Sequence, residues 1–259
     1  MVKIHVDTAK TKKAHAYYTR IAECFELFPI EQADVIVVLG GDGYMLNALH
    51  RTYDMRIPLY GVHCGTVGFL MNEISLDDIE SLPHRIENAS VTKLHPLKIE
   101  AEQIDGKKTV LHAINEITLQ RQTHQVCKLS IAINDKVRLK NLAGDGLIIS
   151  TAAGSTAYNF SARGPIIPLG IPLLALTPLN PFRPRHWNGA IIPNTARIDI
   201  EILEASNRSV EATADYVTVQ NITRVLIEED RSVEFHLLFD SDRNLEERIL
   251  NEQFASGYA

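Results

Sequence analysis

Cysteine and tryptophan are scarce in this chain of 259 residues, which has three of the first and one of the second. Cys24, Cys64 and Cys127 are scattered, with no C-x-x-C and no paired spacing. That excludes a disulfide framework or a cysteine zinc site and fits a reducing, cytoplasmic setting. Long apolar runs are missing as well. The longest candidate, residues 166–179, is interrupted by three prolines, so nothing reads as a membrane span. The opening residues, Met1-Val2-Lys3-Ile4-His5-Val6-Asp7, read as a first strand and not as a signal peptide. Basic charge is in deficit: 26 Lys and Arg stand against 32 Asp and Glu, a net charge of −6. That argues against nucleic acid or an anionic membrane as partner. The histidines are dispersed and no Asp/Glu/His group has metal-ligand spacing, so no dedicated protein metal site is expected.

What is present is a chain able to build real cores, 45% hydrophobic and without repeats or low-complexity segments. The first ninety-odd residues alternate strand and helix patterns: strands at 3–6, 35–39 and 58–62, helices at 14–28, 44–51 and 76–86. Such alternation implies βαβ units and a parallel sheet, an α/β domain of Rossmann-like type over 1–96. After residue 96 the period changes to two. Leu129, Ile131 and Ile133 share one strand face, as do Ile198, Ile200 and Ile202, and Asp105-Gly106 marks a hairpin. Further strands are expected at 109–119, 209–213, 222–228 and 233–239, so 97–240 reads as an antiparallel β-sandwich. Residues 242–251 read as a short terminal helix within a closing segment, 241–259.

The most informative stretch is Val35-Ile36-Val37-Val38-Leu39-Gly40-Gly41-Asp42-Gly43. A buried strand ends in three glycines around one carboxylate, at the carboxyl end of a sheet where open α/β folds bind ligands. Glycines there allow phosphates to approach backbone N–H groups, and Asp42 suits a general base meeting a hydroxyl beside a phosphate. A tight turn with Asp42 capping the next helix is the plainer account. A second segment, Gly144-Asp145-Gly146 followed by Leu147–Ile149 and then Gly154-Ser155-Thr156-Ala157-Tyr158, sets small hydroxyl residues and an aromatic beside another carboxylate.

Together these segments resemble the NAD kinase family. The resemblance rests on Gly40–Gly43, on Asn115-Glu116, on Gly154–Tyr158 and on a second glycine-rich turn, Gly61-Val62-His63-Cys64-Gly65-Thr66-Val67-Gly68-Phe69-Leu70. It covers residues 35–160 closely and the rest in layout. The first motif is shared with diacylglycerol-type lipid kinases and phosphofructokinases, so the specific part is the Asn-Glu pair with the 154–158 run. The resemblance implies an NAD kinase/diacylglycerol kinase-like fold with the closing segment packed back on the first domain. It implies phosphorylation of the 2′-hydroxyl of the adenosine ribose of NAD, giving NADP.

Carried over residue by residue, the resemblance makes Asp42 the base. It makes Gly40, Gly41 and Gly43 the phosphate-contacting turn. Asp42, Gly43, Asn115, Glu116, Ala153, Thr156, Ala157, Tyr158, Asn159, Phe160 and Ser161 become the residues around NAD. Asp145 becomes an acceptor for the nicotinamide amide, supplied in the family by a neighbouring subunit, so a dimer or tetramer with shared sites is implied. ATP or polyphosphate is the implied donor, with Mg²⁺ carried on it. Three positions depart from the family pattern: Ala152-Ala153 in place of Pro-Thr, Ala143 where a basic residue is frequent, and His63 where Asn is common.

The stretch Pro181-Phe182-Arg183-Pro184-Arg185-His186-Trp187 carries the only tryptophan and two arginines among aromatics. It reads either as positive charge for phosphates or as a rigid loop between sheets or subunits. Two other functions compete with the kinase: a lipid or sugar kinase sharing the Gly-Gly-Asp-Gly turn, and a binding module that senses NAD or NADP without turnover.

Overall fold

A computed structural model describes residues 2–65 and 68–241. The chain divides into two compact units, one of Met1–Leu94 with the chain from Val233 onward, the other of His95–Ser232.

The first unit is built on a five-stranded sheet. Its strands are β1 (Ile4–Thr8), β2 (Val35–Gly40), β3 (Leu59–His63), β4 (Ser90–Leu94) and β17 (Phe235–Phe239). They lie in the order β1-β2-β3-β17-β4. β1, β2, β3 and β17 run parallel and only β4 is antiparallel. Every residue of β2 is buried, as a parallel strand covered on both faces requires. Helix α1 (Lys12–Cys24) starts where Thr11 Oγ1 accepts the Ala14 N–H at 3.1 Å. It ends earlier than the expected Phe28. Phe28 precedes a proline, which disfavours helical backbone, and its N–H donates to Ile4 O instead. Helix α2 (Asp42–Arg51) buries Met45, Ala48 and Leu49. The helix expected at 76–86 is a 3-10 turn, Leu76–Ser81, followed by α3 (Leu82–Glu87). Pro83 opens that second helix, a position where its missing N–H costs nothing.

One strand belongs elsewhere than the sequence placed it. The run at 233–239, expected in the sandwich, forms β17 between β3 and β4 of the first unit. Phe235, Leu237, Leu238 and Phe239 are all buried, the near-continuous apolar pattern of a strand covered on both faces. Asn72 Nδ2 donates to Leu238 O at 2.9 Å, and Tyr60 Oη donates to Asp240 Oδ1 at 2.6 Å, fixing the strand's end. The expected terminal helix and its packing lie outside the described residues.

The second unit is an antiparallel sandwich of two six-stranded sheets. One holds, in order, β12 (Ala190–Pro193), β11 (Leu173–Leu179), β10 (Gly146–Ser150), β7 (Glu116–Arg121), β14 (Val210–Ala214) and β15 (Val217–Val219). The other holds β6 (Lys108–Ala113), β5 (Leu97–Gln103), β16 (Ile222–Glu229), β13 (Ile198–Ile202), β8 (Cys127–Ile133) and β9 (Lys136–Gly144). The alternating isoleucines of β8 and β13 meet Ile117, Leu119, Leu147 and Ile149 in one core. Gly106, at φ +84°, closes the β5–β6 hairpin. The expected strand 109–119 is two strands, because the chain leaves one sheet at Ala113 and enters the other at Glu116. Asn115 and Glu116 stand at that crossing.

Candidate active site

In the first unit, β2 delivers Gly40 and Gly41 to the N-terminus of α2, where Asp42 is the first helical residue. The Asp42 carboxylate does not cap its own helix. Oδ2 accepts the Phe69 N–H at 2.7 Å and Oδ1 the Leu70 N–H at 2.9 Å. The two glycine-rich turns are therefore clasped through one side chain. Gly68 permits this, since a Cβ there would lie 2.6 Å from Asp42 Oδ1. Gly40 makes room for Tyr44, since a Cβ on it would lie 2.7 Å from the tyrosine Cβ. Gly41 and Gly43 face open space, with nothing within 4 Å of a Cβ at either. The first amides of α2 have no intrahelical acceptors, and with the helix dipole they favour an anion at that opening. Each carboxylate oxygen retains an acceptor position beyond the amide it holds.

The second unit brings Asn115-Glu116 and the 151–158 segment together. Thr151 Oγ1 donates to Ile114 O at 2.7 Å, Thr151 N–H donates to Asn115 O at 2.9 Å, and Gly154 N–H donates to Thr151 Oγ1 at 3.1 Å. A Cβ on Gly154 would fall 2.2 Å from Asn115 O, so glycine is required for this contact. Ala153 is buried; Thr156 and Ala157 are half-buried and Tyr158 exposed at the start of α4 (Tyr158–Ser161). Phe160 is half-buried and Ser161 exposed. Asn159 is fully buried, with its amide donating to Ser155 O and Pro165 O and accepting from Thr177 Oγ1 at 2.6 Å. Its hydrogen bonds shape the loop from within.

Asn115 Oδ1 and Glu116 Oε2 are buried and have no hydrogen-bond partner among the described residues. Buried polar atoms are nearly always paired, so these two unpaired oxygens on consecutive residues are able to accept a ligand's donors. Burial pushes the Glu116 carboxyl up to about 7, and the neighbouring Asp215 carboxylate adds to the rise.

Asp215 is the residue that sequence reasoning missed. At φ +52° in the β14–β15 turn, it accepts the N–H groups of Ile114, Asn115 and Glu116 at 2.7, 3.0 and 3.2 Å. Three amides on one carboxylate hold the crossing peptide rigidly. The sequence signal was slight: an Asp between two short alternating runs, Val210–Ala214 and Val217–Val219, where a hairpin turn is expected.

Asp145 is not brought to this place. In the β7–β10 register Gly146 faces Gln120 and Ser150 faces Glu116. Asp145 and Glu116 therefore occupy opposite ends of one strand pair, on the order of 15 Å apart at ~3.4 Å per residue. Its carboxylate accepts Asn180 Nδ2 at 2.8 Å and Arg121 Nε at 2.6 Å, and both lower its pKa.

The fold is shared with two solved structures. Yeast NADH kinase, solved with NADH, superposes with a TM-score of 0.81 at 20% identity, covering 100% of this chain and 89% of that one. An NAD kinase from Archaeoglobus fulgidus, solved with ATP, gives 0.75 at 23% identity, covering 98% and 99%. Both share the fold of this chain. The models for the ATP-NAD kinase N-terminal and C-terminal domains match residues 3–91 and 114–229. NAD kinase from Hyphomonas neptunium is 46% identical over 98% of both chains. That from Rhizobium meliloti is 49% identical over 87% of both, and that from Caulobacter vibrioides 50% identical over 87% of this chain and 86% of its own. The chain belongs to the NAD kinase family, whose reaction is phosphorylation of NAD to NADP with an alcohol as acceptor. The lipid or sugar kinase and the turnover-free sensor are set aside by that membership.

Proposed function

We propose that this chain transfers a phosphoryl group from ATP to the 2′-hydroxyl of the adenosine ribose of NAD, with Asp42 as general base. The observation that carries the proposal is the Asp42 carboxylate pinned by the Phe69 and Leu70 amides beside the open glycines 41 and 43. Pinning removes rotamer freedom, so an incoming hydroxyl meets an acceptor already aimed. A free aspartic acid has a pKa of ~3.9 and is a weak base towards a sugar alcohol. Phosphoryl transfer tolerates this, because its loose transition state needs alignment and charge stabilisation more than early deprotonation. Asp42 orients the hydroxyl and takes its proton late. Gly41 and Gly43 let phosphate oxygens reach the backbone at the start of α2, whereas Gly40 is buried and its Cβ space is filled by Tyr44, so it serves packing rather than phosphate contact.

The adenosine half is held by Asn115, Glu116 and the segment Ala153–Ser161. The orphaned oxygens of Asn115 and Glu116 accept from hydroxyl and amino groups, as a carboxylate grips a diol. ATP as donor is supported by the ATP-bound Archaeoglobus relative; polyphosphate is the second donor to be tried. Mg²⁺ travels with the donor and neutralises phosphate charge. A magnesium ion on a nucleotide is held mainly by phosphates and water. Asp145 reaches the nicotinamide amide from a neighbouring subunit, so the enzyme works as a dimer or tetramer. Its free cysteines suit the cytoplasm.

The test is a coupled assay for NADP with NAD and Mg²⁺, run with ATP and separately with polyphosphate. Asp42→Asn should lose roughly 10²–10⁴-fold in rate. A D42N enzyme within a few-fold of wild type would remove Asp42 from the role of base.

A further inference from the structure

Tyr44, two residues after Asp42 in the first turn of α2, makes its polar contacts with β1. Its hydroxyl lies 2.6 Å from Asp7 Oδ1 and 2.8 Å from Thr8 O, so one hydrogen is shared between a carboxylate and a carbonyl. Asp7 Oδ2 accepts from Arg51, whose guanidinium also lies over the Tyr44 ring, 5.3 Å from its centroid. Tyr44 and Arg51 are two turns apart along α2, which sets both on the face that meets Asp7. Burial and the Asp7 hydrogen bond push the phenol pKa up to about 12, so the group stays a neutral donor at working pH.

The start of α2 has few local restraints. Its N-cap is Gly41, which offers no side-chain acceptor. Glycines at 41 and 43 leave the turn the conformational freedom of residues without a Cβ. Asp42 ties the turn to the 69–70 amides on one side. Tyr44 ties it to β1 on the other, where Asp7 and Thr8 pair with Val38 and Leu39 of β2. Apolar packing accounts for the tyrosine ring, whose Cβ fills the place of a side chain on Gly40. It does not account for a hydroxyl, a carboxylate and a guanidinium joined end to end. Stability does not account for them either, because an ion pair to the half-exposed Arg51 contributes little.

We propose that Tyr44 is a positioning residue for phosphoryl transfer: linked to Asp7 and Arg51, it holds the first amides of α2 in register with the Asp42 carboxylate. This rests on the reading of Asp42 as base. Without the hydroxyl, the carboxylate stays clasped by Phe69 and Leu70 while the turn carrying Gly41 and Gly43 shifts. Phosphate and base then lose their mutual alignment. The loss falls on kcat, because alignment of the reacting groups governs a loose phosphoryl transfer. Asn115 and Glu116 belong to the other unit and keep their own contacts.

The test is steady-state NADP formation by wild type, Y44F, D7A, D7N and Y44F/D7A, beside D42N, with thermal melting followed for each. Y44F and D7A should each lose about tenfold in kcat, with the KM for NAD unchanged. The double variant should fall no further than either single one, because both break the same link. D7N keeps an acceptor for the phenol and should recover most of the rate. Should Y44F not fold, D7A against D7N carries the test. The proposal is overturned by wild-type kcat in Y44F and D7A, or by a rate loss no larger than the loss of folded protein. It is also overturned if the single losses multiply in the double variant. A fully active D42N would overturn the reading of Asp42 and this proposal with it; D42N impaired while Y44F is intact would overturn this proposal alone.

Discussion

Gly68 lies so close to Asp42 that a Cβ on it would stand 2.6 Å from the carboxylate oxygen Oδ1. The glycine is thus part of how the proposed base is aimed, although it has no side chain to offer. Gly68→Ala must push the carboxylate or the loop aside. A misplacement of about 1 Å at a reacting group costs roughly 10²-fold. The expected result is a fall of that order in kcat, with the KM for NAD changed far less. Steady-state kinetics check it, and a G68A enzyme with full kcat would show that the Asp42 contact does not govern the rate.

The Glu116 carboxyl, pushed up to about 7 from an ordinary 4.5, makes both stability and binding depend on pH. A raised folded pKa means the folded protein holds the proton longer than the unfolded chain. Its contribution to apo stability is full below the unfolded value and is lost as pH rises through about 7. NAD acts in the opposite sense, because its hydroxyl and amino donors favour the ionised carboxylate. Affinity for NAD should rise about tenfold between pH ~6 and ~8, with a proton released on binding. Calorimetry in buffers of differing ionisation enthalpy reads both quantities. Glu116→Gln should abolish the proton release, and its persistence would assign the titration to another group.

Asp215 holds three consecutive amides and adds to the rise of the Glu116 pKa. Asn is the substitution of choice, since it tolerates the left-handed backbone at this position. Asp215→Asn removes one charged acceptor and leaves a neutral one. The KM for NAD should rise about tenfold or more, each charge-assisted bond being worth about 1.5–3 kcal/mol. At saturating NAD, kcat should stay within a few-fold. The pH midpoint of NAD affinity should also move down, because the carboxylate beside Glu116 is gone. A raised KM with an unmoved midpoint would reduce Asp215 to simple scaffolding.

Asp145 and Glu116 stand at opposite ends of the β7–β10 pair, so the strand pair by itself leaves open whether both serve one NAD from the same chain. If Asp145 serves a neighbouring subunit, two impaired variants should complement each other. Asp145→Ala and Glu116→Ala, each weak alone, should regain activity when mixed and allowed to exchange subunits, because a hybrid contains one site with both residues intact. Activity of the mixture no greater than the sum of its parts would place Asp145 in its own subunit's site or in none.

The resemblance implied that Asn115-Glu116 and the 154–158 run serve one ligand, and the sequence by itself determined the α/β-then-β order, the buried strand 35–39 and the glycine-flanked carboxylate. These are local matters: a period of two or 3.6, β-branched runs and glycines at turns are set by neighbouring residues and by whether one face or both are covered. Only the tertiary structure decided that the run at 235–239 returns to the first sheet. An apolar run of five residues states that both its faces are buried, not which strands flank it. Tertiary structure likewise split 109–119 at the crossing between sheets, because backbone direction there is set by Asp215, a hundred residues away. It also turned Asp42 from a helix cap into an acceptor for the 69–70 amides, and gave Asn159 a buried set of internal hydrogen bonds. In each case the deciding partner is distant in sequence, and hydrogen-bond partners at long range leave no periodic trace in the chain.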